Sequence, residues 1–155
     1  MKRAVSLGAG ILFCATGLLL SYEDVIKVET NIRPLRVGRG EEGKVILKID
    51  VKEGIMINTQ PAFIVEFSPS EDLVFPKNFF TASDLNVEVV EENDRERLNL
   101  KKPVEIPFTV TKKAKRGIHI LEGKIKYFAT SAKEGWCLKS SAKFSARILV
   151  VVKFS

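Results

Sequence analysis

The stretch that decides the fold is KVILKIDV, Lys44–Val51. Val45, Leu47, Ile49 and Val51 fall at every second position, and Lys44, Lys48 and Asp50 take places between them. A period of two puts the apolar set on one face of a strand and the charges on the other. FSARILVVVKF repeats the pattern near the C-terminus, with Phe144, Ala146, Ile148, Val150, Val152 and Phe154 sharing a face.

Working outward, five more segments rich in β-branched and aromatic residues read as strands. They are VIKVET (25–30), FIVEFS (63–68), LNVEVVE (85–91), VEIPFTVT (104–111) and HILEGKIKYFAT (119–130). Turn-forming stretches separate them: VGRGEEG, SPSEDL, ENDRER and KKAKRG. Pro107 lies inside a strand pattern, which points to an edge or a bulge there. No stretch after the N-terminal segment carries a helical stripe. Regular short strands with polar turns predict one all-β domain, an antiparallel β-sandwich of roughly seven to nine strands.

The N-terminus has a different character. Lys2 and Arg3 precede an uncharged, apolar or small run from Ala4 to Leu20, and Ser21 offers a small residue before polar sequence begins. This is the layout of a secretory signal over residues 1–21, with an uncleaved anchor helix over residues 4–20 as the alternative. A lipid-bearing Cys14 is disfavoured because bulky Phe13 precedes it. The reading predicts export to the periplasm or another extracytoplasmic compartment. Residues 22–155 then form the domain, and membrane contact is expected only through the N-terminal segment. The formal charge of +6 includes Lys2 and Arg3 and is ordinary for a soluble surface. Cys14 and Cys137 are the only cysteines, so the mature part has no internal disulfide.

Most catalytic patterns are missing. There is no Gly-rich phosphate loop, CxxC or HExxH. His119, the only histidine, alternates with Ile118 and Ile120 and is expected to point off the core face. One histidine is too few for a metal site, and no nucleophile-elbow pattern supports a serine triad, although spacing alone leaves such a triad open. No metal and no cofactor is expected. EENDRER (91–97) mixes arginines with its acids and reads as a solvated loop. The cluster Lys112, Lys113, Lys115 and Arg116 reads as a charged turn. It has no interleaved aromatics for stacking, so nucleic acid is not expected as a partner.

Cys137 stands apart, beside the only tryptophan, Trp136, and after Gly135. The stretch TSAKEG places it at a loop-to-strand junction, where an accessible thiol is expected. Lys133 and Lys139 would favour the thiolate and Glu134 would oppose it.

Two stretches resemble the N-terminal periplasmic domain of the thiol:disulfide interchange protein DsbD. In VILKIDVKEGIMINTQPAFIVEFS, Gly54, Ile57, Asn58 and Pro61 fit the family pattern, and Met56 stands where the family usually has histidine. In GKIKYFATSAKEGWCLKSSAKFSARILVVV, Tyr127, Trp136 and Cys137 fit the aromatic, pre-cysteine and second-cysteine positions. The resemblance implies an immunoglobulin-like sandwich. It also implies a partner surface at Tyr127, Phe128 and Trp136 and a catalytic thiol at Cys137. The family's first cysteine would fall at Thr130 or Ser131, and neither can form a disulfide. Exchange through a cysteine pair needs a resolving thiol, so Cys137 cannot complete the cycle alone.

Three functions follow as expectations. The first is a non-autonomous, single-cysteine module that binds extracytoplasmic redox or envelope proteins. The second is a structural or adhesion-type sandwich with a buried, unreactive cysteine. The third is a monothiol enzyme that depends on an external thiol.

Overall fold

The structure, a computed structural model, describes residues 25–60, 62–92 and 94–152. The expected signal or anchor over residues 1–21 lies outside the described residues. No helix occurs among the described residues, and twelve strands do. They are β1 (Ile26–Arg33), β2 (Arg36–Gly38), β3 (Glu42–Val51), β4 (Ile55–Ile57), β5 (Ile64–Phe67) and β6 (Leu73–Val74), followed by β7 (Phe79–Thr81), β8 (Glu88–Glu92), β9 (Arg95–Asn99), β10 (Val104–Val110), β11 (Gly117–Ser131) and β12 (Trp136–Val151). The number exceeds seven to nine because β2, β4, β6 and β7 are edge pieces of two or three residues, too short for a period to register.

A four-stranded sheet has the order β1-β3-β10-β6, and a larger sheet has the order β2-β12-β11-β5-β7 with β4 added to β11. The connectivity follows an immunoglobulin-type sandwich: β1, β3 and β10 in one sheet; β5, β11 and β12 in the other. A separate hairpin, β8-β9, lies off this plan. Here ENDRER departs from the expected loop. It forms the turn and the start of β9, and β8 begins at Glu88, later than Leu85.

KVILKIDV behaves as its alternation requires. Val45, Leu47 and Ile49 are buried in β3, and Lys44, Lys48 and Asp50 are exposed. The β12 set Phe144, Ile148 and Val150 is buried against them in one core with Tyr127, Phe63 and Phe108. Each fully buried large apolar side chain stabilises the fold by roughly 1.5–3 kcal/mol. Pro107 sits opposite Lys44 of β3, and β6 pairs only with Thr109 and Val110, so the other edge of β10 is free at the proline.

Strands β11 and β12 form the spine of the larger sheet, paired from Gly117↔Val150 to Ser131↔Trp136. Gly123 has a packing reason: a Cβ there would meet the Phe144 ring and stand 2.6 Å from the Glu66 carbonyl oxygen.

Candidate functional site

The site lies at the turn end of the β11-β12 hairpin. Gly135 takes φ 74°, which favours glycine, and its N–H donates to the Ser131 carbonyl at 2.8 Å. This turn aligns Thr130 directly opposite Cys137 and Ser131 directly opposite Trp136. Directly opposed residues share a face, and successive residues take opposite faces. Cys137, Thr130, Phe128 and Lys139 therefore point outward, and Trp136, Ser131, Ala129 and Tyr127 point inward.

The thiol is exposed. Strand β4 pairs Met56 with Thr130 and brings Asn58 to the same outer face. Thr130 Oγ1 donates to Asn58 Oδ1 at 2.9 Å and lies 3.6 Å from Cys137 Sγ. Asn58 Nδ2 reaches the sulfur at 3.9 Å. Lys139 Nζ stands 6.0 Å from the centre of the Phe128 ring. Glu134 accepts a hydrogen bond from Trp136 Nε1 at 2.7 Å.

The expected partner surface is divided by this geometry. Phe128 is half-buried on the thiol's face. Trp136 is half-buried against the core on the other face. Tyr127 is only 2 % exposed, so it supports the strand from below and presents no surface to a partner. Burial raises its phenol pKa, and the hydrogen bond with Ser140 works weakly against that. The expected partner surface at Tyr127, Phe128 and Trp136 is thus corrected to Phe128 alone on the thiol's face, because successive residues of a strand take opposite faces. Thr130, not buried Ser131, occupies the place facing the thiol. Met56 and Asn58 are the residues the site gains, because a separate strand delivers them.

His119 is also corrected. Ile118 and Ile120 are 67 % and 63 % exposed on the outer face, and the imidazole turns inward at the far end of β11. Its Nε2 donates to the Lys115 carbonyl at 2.6 Å, and Nδ1 faces Asp72 Oδ2 at 3.1 Å. Nε2 is thereby unavailable to accept a serine proton, which removes the triad. Eleven strand residues, about 36 Å, separate His119 from Thr130 beside the thiol, so it is no base for Cys137 either. In EENDRER, Arg97 pairs with Glu92 at 2.8 Å. Among the described residues, no group of three or more His, Cys, Asp or Glu side chains is placed to hold a metal ion. A groove behind β4, floored by Ile49, Ile55, Ile57 and Leu98, carries a rim of mixed charge.

No protein-family model and no curated protein matches the chain. Solved structures that resemble it include a cohesin module from a family 33 glycoside hydrolase of Clostridium perfringens, at 11% identity and a TM-score of 0.44, covering 83% of this chain and 96% of that one. Another is AggA, the major subunit of aggregative adherence fimbriae type I of Escherichia coli, at 14% identity and a TM-score of 0.36, covering 81% and 95%. Murine CRIg is similar at 8% identity and a TM-score of 0.34, covering 83% and 98%. None of these three is a DsbD domain, and likeness at this level says nothing about function.

Proposed function

We propose that the protein is an extracytoplasmic binding module, a structural or adhesion-type β-sandwich without autonomous thiol-disulfide activity. The observation that carries this reading is the pairing of Cys137 with Thr130. The position directly across from the thiol holds a hydroxyl, 3.6 Å from the sulfur, where an internal partner would have to stand. A thiol so placed has no second sulfur to resolve a mixed disulfide. Export rests on the N-terminal pattern of residues 1–21. A descent from the DsbD-type domain rests on the sequence resemblance, and it would make the Thr130 site the remnant of a redox pair.

The exposure of Cys137 favours a second reading, in which the thiol forms a mixed disulfide with an envelope partner. One series of measurements separates the readings. The native thiol should react with an alkylating reagent, and insulin disulfides should show no turnover. Turnover with a small external thiol would overturn the module reading. Thr130→Cys should form an internal disulfide with Cys137. Ser131→Cys should not, because that side chain is buried on the opposite face. A disulfide in the second variant alone would refute the register argument.

A further inference from the structure

Strand β12 carries a regular outward row. Lys139, Ser141, Lys143, Ser145 and Arg147 are all exposed on one face, each cation four residues from the next. At about 3.4 Å per residue, that is a charge roughly every 14 Å along one line, with a serine hydroxyl midway. Lys124 and Lys126 stand beside the row on β11, and Arg36 stands across from Leu149 on β2. Six cations on this face thus meet two carboxylates, Glu66 and Glu122. Glu66 is held between Lys126 at 3.0 Å and Lys124 at 3.9 Å. Among the described residues, no acidic group pairs with Lys139, Lys143, Arg147 or Arg36.

The centre of the face is electrostatically unfavourable as it stands. Lys124 lies directly opposite Lys143, and like charges so placed repel. An anion laid along β12 would reverse that sign. We propose that the outer face of the larger sheet binds a linear anionic glycan, a carboxylated or sulfated polysaccharide extended along β12. This rests on the module reading above and gives it a ligand class.

Three features choose the occupant. Protein interfaces are depleted of lysine at their centres, and lysines with serines fill this centre, with the exposed Ile118 and Ile120 standing beyond it at the Arg147 end. A twisted sheet touches a planar membrane along only part of its length, and a flexible polymer can follow the whole row. Single-stranded nucleic acid stacks its bases on aromatics beside the cations. The two aromatics on this face, Phe128 beneath Lys139 and Phe79 on β7 beyond β5, leave the Lys143–Arg147 stretch without one. The serine hydroxyls offer hydrogen bonds to sugar hydroxyls, and the cations meet the acidic groups.

The test measures binding of the full chain to heparin and to polygalacturonate in low salt. Binding is expected, and it should be lost near ~1 M salt, where the screening length falls to about 3 Å. Lys143→Ser with Arg147→Ser should weaken it about tenfold with no change in melting temperature. Lys112→Ser with Lys113→Ser removes equal charge from the β10-β11 loop and should change affinity less than about threefold. Equal loss in both pairs would reduce the effect to net charge and overturn the inference. Absence of binding by the unaltered protein would overturn it too. Tighter row-dependent binding to oligo-dT or to phosphatidylglycerol vesicles would replace the glycan by another occupant. Each of these failures leaves the insulin assay silent, so the module reading stands or falls separately.

Discussion

The outer faces of the two sheets are built from the same residue types and reach opposite electrostatic ends. On the smaller sheet, register places Lys27 across from Asp50 and Glu29 across from Lys48, and Lys44 reaches Glu105 at 3.7 Å. Arg33 does stand opposite Lys44, but Glu105 answers that lysine, and charges of opposite sign are interleaved along the rest of the face. On the larger sheet, lysine stands opposite lysine at 124 and 143, and cations outnumber carboxylates. The inner faces of both sheets are apolar and share one core. Folding therefore needs alternation but is indifferent to how the outer charges are arranged. A face that keeps an excess of cations is free to be shaped by something other than stability.

The largest test of this contrast lies beneath the charged face. Tyr127→Ala should cost about 3–5 kcal/mol in denaturant unfolding, as large-to-small core changes do, whereas Lys143→Ser one layer above should cost almost nothing. Comparable losses would mean that the outer row is structural. Next in size is Gly123→Ala. Its methyl would press on the Phe144 ring and on the Glu66 carbonyl oxygen 2.6 Å away, with an expected cost of about 1–3 kcal/mol. A neutral result would show that the larger sheet yields easily at its centre.

Smaller and sharper is a pair of charge reversals. Lys48→Glu on the smaller sheet sets a second carboxylate directly opposite Glu29, and should destabilise by roughly 0.2–1 kcal/mol. Lys143→Glu on the larger sheet converts a repulsive pair into an attractive one and should stabilise by a similar amount. Equal signs in thermal unfolding would erase the difference between the faces.

The smallest effect lies in neither face. Hydrogen bonds from the Lys77 ammonium and from Thr81 hold the Asp84 carboxyl down to about 2. A folded-state value below the unfolded one contributes stability above the unfolded pKa, and that contribution fades as pH falls towards about 2. Asp84→Asn should thus be less stable than the unaltered protein at pH 6, with the gap narrowing between about pH 4 and 2. A gap that does not depend on pH would show that the carboxylate charge plays no part.

Alternation at Lys44–Val51 and Phe144–Val151 was enough to establish strands, an all-β fold and the identity of most of the core, because side-chain direction in a strand is a local property of the backbone. The same rule separates Cys137 from Trp136, because residues adjacent in a strand point to opposite faces. His119 shows the limit of a local reading. Alternation with two isoleucines assigned those to the core, but register sets His119 opposite buried Ile148 and turns Ile118 and Ile120 to the outer face, where the imidazole's partners Asp72 and Lys115 do not lie. Thr130 opposite Cys137, Asn58 beside the sulfur and Lys124 opposite Lys143 were settled only by tertiary structure. Each depends on register between strands, which turn geometry and the packing of the whole sheet set, and no single segment of the chain encodes it.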